Sequence, residues 1–105
     1  MSEAYIVDYV RSPFTFAKKG ALANVRPEAL GAHVVRALLD KTGVPGEEIE
    51  DIVWACAFQE GEQGLNLGRV VGLEAGLPVT TCGMTINRWC GSALQAVQAA
   101  AGMLK

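Results

Sequence analysis

Long apolar runs, a basic stripe and a cysteine framework are all missing from this 105-residue sequence. No stretch approaches the roughly 18 consecutive apolar residues of a membrane-spanning helix. The first residues, Ser2-Glu3-Ala4-Tyr5-Ile6-Val7-Asp8, lack a basic n-region, and Asp8 interrupts the apolar run, so no secretory signal is expected. Charged residues make up 19% of the chain with a net charge of -2, and the densest positive spot, Lys18-Lys19, reads as a solvated loop. Neither nucleic acid nor a membrane is therefore an expected partner. The three cysteines, Cys56, Cys82 and Cys90, are odd in number and form no C-x-x-C pair, which argues against a disulfide framework and a zinc site. No metal is expected. Free thiols suit a reducing compartment, and the expected location is cytoplasmic. Histidine occurs once, at His33, and no internal repeat is present.

What is present is apolar material: half the residues, enough for a core and against disorder. The length suits one domain or part of one. Residues 4–10, AYIVDYV, are β-branched and aromatic and predict a strand, ended by Arg11-Ser12-Pro13. Residues 14–25 read as a long loop. Pro27 at a first helical position, with Leu30, Val34, Ala37 and Leu38 at helical spacing and Gly43 beyond, predicts a helix over 27–41. A turn follows, with one short helical turn after Pro45. Residues 51–58, DIVWACAF, are apolar without alternation, as in a strand buried on both faces. A glycine-rich loop leads to Asn66, a candidate cap for a helix through LGRVVGLEA that Gly76 and Pro78 stop. Residues 80–86 predict a third strand and 90–105 a helix without a stop signal, so the chain reads as ending mid-architecture. The order β-α-β-α-β-α predicts a parallel α/β sheet with right-handed crossovers.

The chemistry concentrates in Met84-Thr85-Ile86-Asn87-Arg88-Trp89-Cys90-Gly91-Ser92-Ala93. A strand runs into a tight turn that delivers Cys90 to the start of a helix. The first helical turn has unpaired N–H groups, and the positive end of the helix dipole favours a thiolate. Gly91, Ser92 and Ala93 are small and let a substrate approach. The arrangement is the thiol analogue of a strand-turn-helix nucleophile elbow. A helix terminus shifts a thiol by on the order of one pKa unit, which leaves a free thiol of ordinary pKa about 8.5 incompletely ionised at neutral pH. A full nucleophile needs a base, usually histidine. His33 lies on or beside the apolar stripe of its helix and reads as a packed or edge residue, so the base is expected outside this chain. Cys56 and Cys82 fall within strands and read as structural. Trp54 reads as core, and Arg69 as a surface or interface residue.

With those residues in place, the sequence resembles the thiolase family, in particular 3-ketoacyl-CoA thiolases (acetyl-CoA C-acyltransferases). Asn87-Arg88-Trp89-Cys90-Gly91-Ser92 is similar to the family's active-site signature, Asn, Arg or Lys, any residue, Cys, a small residue, Ser. Val10-Arg11-Ser12-Pro13-Phe14, Gly20-Ala21-Leu22 through Val25-Arg26-Pro27, Asn66-Leu67-Gly68-Arg69 and Gly76-Leu77-Pro78-Val79 resemble further family segments in the same order. The resemblance implies that residues 1–105 are part of a thiolase N-terminal domain, a β-α-β-α-β-α portion of an α/β fold with a mixed sheet covered by helices. It implies ping-pong acyl transfer: Cys90 attacks a 3-ketoacyl-CoA, acetyl-CoA leaves, and free coenzyme A takes the acyl group from the Cys90 thioester. The Cys90 backbone N–H would contribute to an oxyanion hole. Coenzyme A enters as substrate, and no cofactor is expected. Arg88 and the Gly20–Pro27 segment lean towards the degradative branch, fatty-acid β-oxidation. Ala93 departs mildly from the family pattern. The family's Asn-Glu-Ala-Phe segment, Gly-His-Pro histidine and second cysteine in C-x-G do not occur here, so the isolated chain is expected to be inactive. Its partners would be acyl-CoA and coenzyme A, and a homodimer, a tetramer or the missing C-terminal part. Two other readings remain open at this level: a ketoacyl-synthase-like condensing enzyme, whose elbow usually reads Ala-Cys-Ser-Ser, and a non-catalytic interaction module.

Overall fold

A computed structural model describes residues 3–104. The first helix, α1 (Pro27–Thr42), starts on Pro27 and ends at Gly43, whose φ of 72° is the left-handed conformation that suits glycine. The Gly43 N–H closes the last turn on the Leu39 carbonyl at 2.8 Å. One 3-10 turn, Gly46–Glu48, follows Pro45 as expected. Strand β1 (Asp51–Ala55) then leads through a second such turn, Gly61–Gln63, to α2 (Leu67–Glu74). Strand β2 (Cys82–Ile86) pairs in parallel with β1, from Asp51 opposite Cys82 to Ala55 opposite Ile86. The last helix is α3 (Ser92–Met103). Within the predicted 90–105 helix, Lys105 lies outside the described residues.

The alternation of side chains along β1 sorts the layers. Ile52 and Trp54 face α1 and α2, where Gly31, Gly68 and Gly72 lie against them. Val53 and Ala55 face α3 across an open groove of about 1110 Å³. Cys56, Leu67 and Val71 form the buried cluster, with Val35 and Trp54 packed against it. Trp54 is therefore core-facing, as expected. Because the α3 side is only partly covered, β1 is half-buried throughout rather than buried on both faces.

One expected element is absent. Residues 4–10 form no strand, and Tyr5, Ile6, Val7 and Tyr9 are exposed. β propensity without a ladder partner does not make a strand. Instead the Lys41 ammonium, in the last turn of α1, donates to the Asp8 carboxylate at 2.7 Å and the Tyr9 carbonyl at 3.1 Å, and sits 5.3 Å from the Tyr9 ring centroid. The hydrogen bond from Lys41 holds the Asp8 carboxyl below its usual range.

Asn66 occupies the position before α2 but does not cap it with its side chain. The acceptor comes from β2: the Thr85 hydroxyl takes the Gly68 N–H at 2.9 Å and donates to Asn66 Oδ1 at 2.8 Å. The Asn66 amide in turn donates to the Gly83 carbonyl at 2.9 Å. Arg69, expected as a surface or interface residue, reaches from α2 to the Val79 and Thr81 carbonyls and pins the entry to β2. Thr85→Val keeps the shape and removes the hydroxyl. We expect it to lower stability by about 1–2 kcal/mol in urea unfolding, the usual cost of losing a helix cap.

Candidate active site

The end of β2 and the start of α3 are joined by five residues, Asn87 to Gly91, and Cys90 lies among them, exposed. The helix begins two residues later than the sequence predicts, at Ser92 with Gly91 before it. Cys90 thus precedes the first helical turn rather than opening it. Among the described residues, the N–H groups of Cys90, Ala93 and Leu94 meet no backbone acceptor. An exposed sulfur beside unpaired N–H groups at the positive end of a 12-residue helix is chemically suited to hold an anion or a polarised carbonyl.

Side chains hold the turn. Asn87 Oδ1 accepts the Trp89 N–H at 2.8 Å, and the Asn87 amide donates to the Ala57 carbonyl at 3.0 Å, just past β1. The Ser92 hydroxyl accepts the Arg88 N–H at 2.8 Å and donates to the Trp89 carbonyl at 2.6 Å. Trp89 has φ 47°, a left-handed conformation unusual for a bulky residue. Its ring meets Phe58 edge to face, centroids 5.4 Å apart, and both rings are largely exposed. Asn87 and Ser92 stood in the sequence motif as identities; their tasks became visible only with the turn folded. A strained non-glycine residue one position before the cysteine had no signal in the sequence.

The other candidates separate from Cys90. Cys56 is buried, its thiol 3.3 Å from the Phe58 carbonyl, which fits its structural reading. Cys82 begins β2 and is exposed, so it is not a core residue. His33 is exposed on α1, across the sheet from α3. His33 and Cys90 thus lie on opposite faces of the sheet. Among the described residues no cluster of His, Cys, Asp and Glu could hold a metal ion.

The family model for "Thiolase, N-terminal domain" matches residues 4–105. A 3-ketoacyl-CoA thiolase of Acinetobacter baumannii is 46% identical over 102 residues, 97% of this chain and 26% of that protein. One from Psychrobacter cryohalolentis is 45% identical over the same shares. The crystal structure of the Bacillus anthracis acetyl-CoA acetyltransferase superposes with a TM-score of 0.72 at 35% identity, covering 78% of this chain and 21% of that one. The chain spans about a quarter of the length of the curated relatives it matches. An α/β unit with two parallel strands, a strand-turn-helix cysteine and a family match from end to end lead to one assignment: the chain belongs to the thiolase family, as its N-terminal domain portion.

Proposed function

We propose that this chain supplies the acyl-accepting cysteine of a 3-ketoacyl-CoA thiolase, with Cys90 as nucleophile and acyl-CoA and coenzyme A as substrates. The observation that carries the reading is the placement of Cys90: exposed, on a braced turn, directly before the unpaired N–H groups of α3. The thiolate adds to the 3-keto carbon of the substrate, and the bond between its C2 and C3 breaks. Acetyl-CoA leaves after taking a proton on the departing carbon, and an acyl thioester remains on Cys90. The thiol of coenzyme A then displaces Cys90 and carries off the acyl group. The Cys90 N–H faces the oxygen that becomes negative in each addition. The acid-base groups that move protons on and off carbon belong to residues outside this chain.

The division of labour gives a two-part test on the isolated chain. Exposed to S-acetyl-N-acetylcysteamine above the ordinary thiol pKa of about 8.5, it should acquire one acetyl group. Peptide mass spectrometry should place that group on Cys90, ahead of Cys82, which is equally a free exposed thiol but has no helix start beside it. The same chain should show no acetoacetyl-CoA thiolysis, followed by loss of the enolate absorbance. Acetylation of Cys82 in preference to Cys90 would refute the assignment of the nucleophile.

A further inference from the structure

Trp89 is gripped at both ends. Its N–H donates to Asn87 Oδ1, and its carbonyl accepts two hydrogen bonds from one residue, the Ser92 hydroxyl at 2.6 Å and the Ser92 N–H at 3.1 Å. Ser92 is only 4% exposed, so little water competes for that hydroxyl, which donates to Trp89 and accepts from Arg88. The peptide joining Trp89 to Cys90 is trans, and in a trans peptide the carbonyl and the N–H point in opposite directions. Drawing the Trp89 carbonyl towards the start of α3 therefore turns the Cys90 N–H away from it, and that N–H meets no backbone acceptor among the described residues. The left-handed backbone of Trp89 stores strain that these bonds offset. Removing the hydroxyl takes away one of the three bonds that hold this conformation and favours relaxation of Trp89 towards negative φ, with rotation of the peptide.

We propose that Ser92 is a positioning residue for acyl transfer: its hydroxyl holds the Trp89 carbonyl and so aims the Cys90 N–H at the oxyanion of the tetrahedral intermediate. The inference rests on the reading of Cys90 as the acyl acceptor. The Ser92 hydroxyl bonds to the Arg88 N–H and the Trp89 carbonyl and acts through the Trp89–Cys90 peptide.

Two reagents on the same thiol separate aim from general integrity. Iodoacetamide reacts by displacement of iodide at a saturated carbon and builds no oxyanion. S-acetyl-N-acetylcysteamine reacts by addition to its carbonyl, after which its carbon–sulfur bond breaks, N-acetylcysteamine leaves as thiolate and is protonated by solvent, and Cys90 keeps the acetyl group. Above the ordinary thiol pKa, Ser92→Ala should slow acetylation of Cys90 about tenfold or more, less than the loss of an oxyanion donor outright, while alkylation stays within about twofold. Ser92→Thr should keep the wild-type ratio of the two rates, and Ser92→Val, of the same shape without the hydroxyl, should lose it. Buried Cys56 should stay unalkylated in each variant, reporting an intact fold. Equal changes in both rates with Cys56 protected, or Thr and Val behaving alike, would overturn the role of Ser92 and leave Cys90 as acyl acceptor. No acetyl transfer to Cys90 in the wild-type chain would overturn both.

Discussion

Cys90→Ser should abolish thiolysis. The experiment places this chain in the Acinetobacter relative, replacing the N-terminal quarter that is 46% identical to it. The chimera should cleave acetoacetyl-CoA, and Cys90→Ser should reduce that rate by about 10³-fold or more, the scale of losing a nucleophile from a set that works as a unit. Serine preserves size and geometry at the turn. It replaces a thiol with a hydroxyl, a far weaker nucleophile that a helix terminus does not ionise. Cys82→Ser is the matched control: it changes the other exposed thiol, at the far end of β2, and should leave the rate near that of the parent chimera. Retention of more than about a tenth of the parent rate by Cys90→Ser would remove Cys90 from the chemistry, given the size of effect expected for a nucleophile.

Gly83→Ala should be strongly destabilising. A Cβ on Gly83 would lie 2.7 Å from Arg69 Cα and 2.8 Å from Arg69 N, both backbone atoms of α2. On the facing side, a Cβ on Gly68 would lie 2.9 Å from Trp54 Cβ and also collide with the Met84 carbonyl. No side chain can rotate away, so α2 must lift off the sheet. That separation stretches the hydrogen bonds from Asn66 to Gly83 and from Gly68 to Thr85, which are 2.9 Å each. The expected loss is about 3 kcal/mol, at the upper end for overpacking, read as a lower urea midpoint. Gly102→Ala is the contrast: nothing lies within 4 Å of the added Cβ in α3, and replacing a helical glycine by alanine should gain about 0.5–1 kcal/mol. Equal midpoints for Gly83→Ala and the wild type would mean that α2 and β2 do not touch through their backbones.

The local rules of the chain were legible where they were self-contained. Pro27 and Gly43 bracket α1 because a fixed φ and a left-handed cap are properties of those residues alone. The apolar run at Asp51–Ala55 and the one at Cys82–Ile86 became strands because a parallel crossover through α2 lets them pair. The segment Ala4-Tyr5-Ile6-Val7 has as strong a β composition as either, yet forms no strand, since pairing needs an edge that composition cannot supply. Asn66 shows the same limit at one residue: its type and place suggested a cap, but Thr85, nineteen positions away in the chain, supplies the acceptor.

For the site, the residue order alone determined that a strand would be followed closely by a cysteine, small residues and a helix, though it placed Cys90 inside that helix rather than before it, because periodicity and turn chemistry are written locally. Only the tertiary structure decided that Cys90 is exposed while Cys56 is sealed in, that His33 stands across the sheet from it, and that Asn87 and Ser92 hold the peptides on either side of Trp89, the second of which carries Cys90. Exposure and the direction of an N–H depend on which distant surfaces meet and which hydrogen-bond partners remain, and those are settled only when the layers close.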